Sequence, residues 1–62
     1  MDTPLLYSIQ SSIQILGIGR SSLYELIAAG EIHAVKIGRR TLIPAKEIER
    51  FVESLVEDKA NG

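Results

Sequence analysis

The residue types best suited to bind an anion lie in the stretch AVKIGRRTLIP, residues 34–44. Arg39 and Arg40 follow Gly38, and Lys36 lies two residues before that glycine. A guanidinium group presents a planar set of donors that fits phosphate oxygens, and glycine permits a tight turn. Because the flanking runs are apolar and rich in β-branched residues, we expect a β-hairpin whose tip carries these cations. The alternative is an ordinary polar turn exposed to solvent.

A second candidate site lies at Arg20, Ser21 and Ser22. Apolar residues follow at helical spacing, namely Leu23, Leu26 and Ile27. The spacing predicts a helix that begins near Arg20 and is ended by Gly30. Hydroxyl, guanidinium and free backbone N–H groups at a helix N-terminus suit phosphate binding, although an ordinary surface helix is the alternative.

These 62 residues contain few side chains suited to metal binding, disulfide formation or catalysis. The sequence contains no cysteine and a single histidine, His33, so a metal-ligand set or a disulfide framework is not expected. It also lacks a Ser/His/Asp or Cys/His set and a phosphate-binding glycine loop, and a chain of this size has little room for a closed pocket. We therefore expect no catalytic residue, no metal, no cofactor and no enzymatic activity.

The charge is segregated along the chain, although the net charge is only −1. Residues 32–46 carry four basic side chains and no acidic one, whereas residues 47–58 carry five acids and a single arginine. For recognition of a charged partner, the distribution of charge along the chain matters more than the net charge. A partner with negative charge would meet the basic segment.

The predicted elements occur in the order strand, helix, helix, hairpin, helix. A short strand at residues 5–7 leads to Ser8, a suitable N-cap, and the first helix is ended by Gly17. The last helix begins near Pro44 and carries Ile48, Phe51, Val52 and Leu55, which we expect to form a core stripe. We treat residues 1–62 as one domain and expect residues 58–62 to be frayed.

The register of the hairpin is open at this stage. A two-residue loop would place Gly38 first, as a type II′ turn prefers. A three-residue loop, residues 38–40, matches the apolar pattern better because it puts four residues on one face: Val35, Ile37, Thr41 and Ile43. In both cases we expect Lys36 to point away from the apolar face and Arg39 to lie at the tip.

Two helices joined by a short glycine-containing turn and followed by a hairpin form a winged helix-turn-helix, a small α+β fold with three helices and a β-hairpin wing. In this arrangement the second helix enters the DNA major groove and the wing reaches the backbone or the minor groove. Tyr24, at the edge of the second helix, would be partly buried. Glu25 would face outward, either solvated beside the groove or accepting from a cytosine amine.

The combined pieces resemble the MerR-related excisionase family of phages and integrative elements. They are the LG turn at residues 16–17, RSSLYELIAAGEI at 20–32, AVKIGRRTLIP at 34–44 and EIERFVESL at 47–55. The resemblance implies binding of double-stranded DNA through the second helix and the hairpin. One departure is Gly19, where the family usually has Ser or Thr as the N-cap of the second helix. The DNA-binding residues expected from the pattern and the resemblance are Arg20, Ser21, Ser22, Tyr24, Lys36, Gly38, Arg39 and Arg40.

The same resemblance implies an excisionase that binds and bends attachment-site DNA and assists a tyrosine or serine integrase. A binder with few phosphate contacts would be weak, so head-to-tail self-association on DNA is expected. A small transcriptional regulator is the alternative, and an interaction module built on the acidic last helix is a third. The start MDTPLLYSIQ lacks the features of a signal peptide, and no apolar run reaches membrane-spanning length. We expect no membrane partner and a cytoplasmic, nucleoid-associated location in a bacterial host.

Overall fold

The computed structural model describes the backbone of residues 4–61 and the side chains of residues 4–57. The elements follow the predicted order. They are β1 (Leu6–Ser8), α1 (Ile9–Leu16), α2 (Arg20–Ala28), β2 (Val35–Ile37), β3 (Arg40–Pro44) and α3 (Ala45–Asn61). The winged helix-turn-helix prediction is confirmed by three helices and a small antiparallel sheet. Fraying of the tail from residue 58 stays a prediction.

Local signals begin and end α1 as expected. The Ser8 hydroxyl accepts a hydrogen bond from the backbone N–H of Ser11 at 3.0 Å, so Ser8 caps the helix. The buried Ser12 hydroxyl donates to the Ser8 carbonyl at 2.8 Å, which satisfies its polar group inside the core. At the other end Gly17 adopts φ 71°, a left-handed conformation that glycine tolerates, and donates to the Ile13 carbonyl at 2.8 Å.

The three strands form one antiparallel sheet in the order β1-β3-β2. In β1, Tyr7 lies opposite Ile43, the buried residue of β3. The pairing of β1 with β3 is extended where the backbone N–H of Ala45 donates to the Leu5 carbonyl at 2.9 Å. The strand predicted near residues 5–7 is therefore present, and it occupies one edge of the sheet.

The hairpin between β2 and β3 has a two-residue loop. Ile37 lies opposite Arg40, so only Gly38 and Arg39 remain between the strands. Gly38 has φ 62°, and no non-glycine residue of the described chain has a positive φ, which together fit a type II′ turn. The prediction of a three-residue loop, which the apolar pattern favoured, is therefore wrong.

This register reverses the predicted faces of β2. Val35 lies opposite Leu42 and Lys36 opposite Thr41. Because cross-strand partners share a face, Lys36 lies on the face of the buried Ile43, whereas Val35 lies on the other face. The prediction that put Val35 on the core face and Lys36 away from it is wrong, since a shift of one residue exchanges the two faces.

The core gathers one or two apolar side chains from most elements. Its buried members are Ile9, Leu23, Ile32, Ile43, Ile48 and Phe51. Partly buried residues surround them, including Ile13, Leu16, Leu26 and Ile27 on the predicted helical faces. The helices and the sheet are therefore held as one body by a small core, as expected for a chain of this length.

The apolar stripe of α3 is only half buried. Ile48 and Phe51 are buried, but Val52 is 40% and Leu55 48% exposed. The helix runs for 17 residues, about 25 Å at 1.5 Å per residue, while its neighbours in the core are short. The prediction that the whole stripe is core is wrong, because the second half of α3 extends past the elements that could cover it.

Candidate nucleic-acid interface

The first turn of α2 offers backbone donors that the helix itself does not use. The first helical hydrogen bond is donated by Leu23 to the Gly19 carbonyl at 3.1 Å. Gly19 is the N-cap and has no side chain to accept from the amides of residues 20–22. Arg20, Ser21 and Ser22 are exposed around these amides. The positive end of the helix dipole and three polar side chains thus face solvent together.

The direction of each α2 side chain follows from the burial of Leu23, which is 0% exposed. With 3.6 residues per turn, Arg20 and Tyr24 are neighbours on one flank, and Ser21 lies with Glu25 on the face opposite the core. Tyr24 is 45% exposed, so its ring is partly covered, as predicted. The exposed part of Tyr24 therefore shares the flank of Arg20.

Glu25 is exposed in the middle of this outward face. A carboxylate there repels phosphate and accepts only from donors such as an exocyclic amine. The α2 surface consequently combines groups that attract the backbone of a nucleic acid with one that penalises misplaced contact.

The wing, defined as the β2–β3 hairpin of residues 35–44, carries the second set of predicted residues. Lys36, Gly38, Arg39 and Arg40 are all exposed. Arg39 is in the turn itself, while Arg40 begins β3 and shares a face with Ile37. Lys36 lies on the opposite face. The three wing cations therefore project in different directions around the hairpin and do not form one cluster.

The three wing cations have no acidic partner among the side chains that the structure describes. None of the three forms an ion pair with another side chain among residues 4–57, whereas Arg50 is engaged with Glu47. The acids at 49, 53 and 57 are on α3, a different element. The cations of the wing and these acids are thus carried by different elements of the fold.

Sequence reasoning missed an exposed apolar patch beside Arg40. Val35 is 39% and Ile37 57% exposed, on the sheet face that turns away from the core. Only the register reveals it, because the alternation of β2 fits either face. The patch places apolar contact area next to a guanidinium.

Sequence reasoning also missed a polar network that joins α3 to the residues just before β2. The Glu47 carboxylate accepts from the backbone N–H of His33 at 2.9 Å and from Arg50 Nη2 at 3.0 Å. The Arg50 guanidinium, followed by the His33 N–H, lowers the pKa of Glu47 from 4.5 to about 2. Spacing of three along a helix hints at the Glu47–Arg50 pair, but nothing local reveals the bond to His33.

Potential metal ligands do not gather in the described part of the chain. Among the side chains of residues 4–57, no group of three or more His, Cys, Asp or Glu is placed to hold a metal ion. No helix there is both long and apolar enough to cross a membrane.

Comparison with known proteins agrees with this geometry. Residues 6–56 match the family model described as "Helix-turn-helix domain". A relative named "Probable excisionase", from Saccharopolyspora erythraea, is 34% identical over 56 residues. The match covers 90% of this chain and 57% of the relative, so the chain spans little more than half of that protein's length. No solved structure matches significantly. Because the family model spans β1 to the second half of α3, the chain belongs to the helix-turn-helix domain family.

Proposed function

We propose that the protein binds double-stranded DNA and acts as an excisionase. In this role it binds and bends attachment-site DNA and favours the excision reaction of a tyrosine or serine integrase. The proposal rests on one observation: the same core holds an exposed α2 N-terminus without a side-chain cap and a wing whose cations have no acidic partner among residues 4–57. The similarity to a probable excisionase supports the recombination role.

The first turn of α2 supplies the contacts in the major groove. The amides of residues 20–22 and the hydroxyls of Ser21 and Ser22 bind phosphate or base edges. Arg20 and the Tyr24 hydroxyl, which share one flank, reach the adjacent backbone. Glu25 makes binding selective because it penalises DNA on which no amine is available to it.

The wing supplies the second contact. Arg39 at the turn enters the minor groove or binds a phosphate, and Gly38 allows the backbone to approach closely. Arg40 and Lys36, on opposite faces of the hairpin, bind phosphates on either side of it. Binding by two elements at different grooves favours bent DNA, because a bend lets both reach their contacts.

Affinity from one copy is limited by its small number of cations. With about three to five phosphate contacts, log K falls with log salt with a slope of about −3 to −4. Head-to-tail association of several copies on adjacent sites raises the affinity without new contacts to each site. A transcriptional regulator would use the same contacts, and only the reaction it serves distinguishes it.

A second candidate function, protein contact through α3, is favoured by one observation. Val52, Leu55 and Val56 are 40%, 48% and 61% exposed on a helix that also carries the acids Glu49, Glu53 and Glu57. An apolar row beside acidic side chains suits a basic, amphipathic partner segment. It accompanies DNA binding in the proposed role, since an excisionase must act together with an integrase.

The test combines binding and recombination. Fluorescence anisotropy compares a duplex from the attachment region with a scrambled duplex of equal length and composition, and an excision assay contains the cognate integrase. We expect preferential binding of the attachment duplex and stimulated excision, both lost in the Arg39→Ala/Arg40→Ala double variant. Absence of binding at low salt overturns DNA recognition. Binding without stimulated excision, together with repression of a nearby promoter, assigns the regulator instead. If the arginine variant keeps full function while Glu53→Lys abolishes it, α3 carries the function.

A further inference from the structure

We propose that Glu47 and Arg50 are positioning residues that set the orientation of the wing relative to α2. The inference rests on the proposed use of both elements on one DNA. Its starting point is the connection between α2 and β2, residues 29–34, which contains no helix or strand. Because the wing follows this connection directly, the path of the connection affects where the wing cations lie.

Two backbone groups of the connection are bound by side chains of α3. Arg50 Nη2 donates to the Glu31 carbonyl at 2.9 Å, across 19 residues of sequence. Glu47 Oε1 accepts from the His33 backbone N–H at 2.9 Å, across 14 residues, and lies 3.1 Å from His33 Nδ1. One side chain thus binds a backbone acceptor and the other a backbone donor.

The two side chains also bind each other. Arg50 Nη2 donates to Glu47 Oε1 at 3.0 Å and Arg50 Nε to Oε2 at 3.5 Å. Each is therefore held in the orientation that its backbone contact needs. Between the two bound backbone groups lies Ile32, which is fully buried in the core. The connection is consequently attached to α3 by hydrogen bonds at residues 31 and 33, and to the core by the side chain between them.

The attachment acts on both ends of the wing. β3 continues into α3 without a loop, Pro44 being followed by Ala45 as the first helical residue. β2 begins at Val35, two residues after the bound N–H of His33. The first two turns of α3 thus hold the end of the wing through the chain and its beginning through Glu47 and Arg50. Without the pair, the described restraints on the beginning include the sheet pairing, the packing of Ile32 and the backbone N–H groups of residues 31 and 32, which donate to the Leu26 carbonyl at 2.9 and 3.3 Å.

The direction in which Glu47→Ala changes the affinity for DNA distinguishes positioning of the wing from a simple charge effect. Glu47→Ala removes a negative charge, and charge alone predicts tighter DNA binding. Positioning predicts weaker binding, because wing contacts are lost when the connection moves. Glu49→Ala is the matched control: it removes the same charge two residues away, from an exposed side chain. We expect binding about tenfold weaker for Glu47→Ala, a typical coupling between contacting groups, and unchanged or tighter binding for Glu49→Ala.

A double-mutant cycle identifies the wing as the affected element. In an Arg39→Ala background, which still binds DNA, the loss of affinity caused by Glu47→Ala should be smaller, since the wing contributes less there. A loss of equal size in both backgrounds contradicts the inference. All binding is measured at a temperature where circular dichroism shows each variant folded. Glu47→Gln, which keeps an acceptor for the His33 N–H, should lie between wild type and Glu47→Ala.

A second measurement does not depend on DNA. Residual dipolar couplings of the free protein report the angle between α2 and the hairpin strands. We expect this angle, or the order of residues 31–37, to change in Glu47→Ala and Arg50→Ala and to stay constant in Glu49→Ala. Unchanged couplings in both variants overturn the inference even if DNA binds. Changed couplings in a protein that binds no DNA support it and refute only the proposed function.

Discussion

Arg40 lies directly opposite Ile37 across the hairpin, so Arg39 is the sole arginine in the turn. Adjacent in sequence, the two arginines are not equivalent in space. Arg39 is carried on the tip by a turn of two residues, while Arg40 is fixed in β3 beside the exposed side chain of Ile37. This difference makes the wing testable one cation at a time.

Arg39→Ala should weaken DNA binding for all sequences tested, because a guanidinium at the tip contacts phosphate or the minor groove. A phosphate contact at the tip predicts that the slope of log K against log salt becomes shallower by about one unit in this variant. Anisotropy titrations at several salt concentrations measure both quantities. Lys46→Ala is the charge-matched control and should keep the wild-type slope. Equal slopes for Arg39→Ala and wild type would contradict a phosphate contact at the tip.

Glu25→Gln should raise affinity for unrelated duplex DNA by a few fold and reduce the ratio of specific to non-specific binding. The exposed carboxylate repels phosphate on the outward face of α2, and the amide does not. Parallel titrations with attachment-region and scrambled duplexes give the ratio. Glu53→Gln, on α3, serves as the control for lost charge. Should both variants change the ratio alike, the effect is one of net charge only.

Gly38→Ala should lower the free energy of unfolding by about 1–2 kcal/mol, the cost of a left-handed conformation for an L-residue. Gly38 has φ 62°, and beyond its chain neighbours no atom lies within 4 Å of the place that a Cβ would take, so backbone strain is the source. Urea denaturation followed by circular dichroism measures the change. A D-alanine at position 38, introduced by chemical synthesis, should restore stability because its preferred φ is positive. Equal destabilisation by both alanines would point to the methyl group instead.

Gly19→Ser should stabilise the protein by a few tenths of a kcal/mol. Gly19 has φ −82° and ψ 166°, an extended conformation open to any residue, and a Cβ added there meets no atom beyond its chain neighbours within 4 Å. The new hydroxyl can accept from an amide in the first turn of α2. Thermal denaturation compares Gly19→Ser with Gly19→Ala, which adds a side chain but no hydrogen-bond acceptor. Equal melting temperatures for the two variants would show that capping contributes nothing here.

Stability should fall between about pH 4.5 and pH 2 through protonation of Glu47. Its pKa is lowered to about 2 in the folded protein from 4.5, so the unfolded chain binds the proton first as pH falls. The contribution is present above pH 4.5 and is lost as pH approaches 2. We expect this contribution to the free energy of unfolding to be about 1 kcal/mol, because the Glu47–Arg50 pair is near the surface. Urea denaturation across this range should show a shallower pH dependence for Glu47→Gln than for Glu49→Gln; parallel curves would assign the loss to other carboxylates.

The order of elements and most of their ends follow from the sequence because the signals are local. Ser8 caps a helix with an amide three residues away, and Gly17 ends the same helix through its own φ. The exposure of Arg20, Ser21 and Ser22 follows likewise from helical spacing around Leu23. Each of these arrangements depends on groups within about one helical turn, so neighbouring residues suffice to predict them.

Tertiary structure alone decided the faces of the wing, the coverage of α3 and the partners of Glu47. Apolar residues occur on both faces of β2–β3, and their alternation favoured a three-residue loop, whereas the strands pair around a two-residue turn that begins with Gly38. Val52 and Leu55 repeat at core spacing, yet no described element extends far enough to bury them. His33 meets Glu47 only because the core packs the connection after α2 against α3. For α3 and for Glu47 the deciding neighbour is distant in sequence and becomes adjacent only when the core forms.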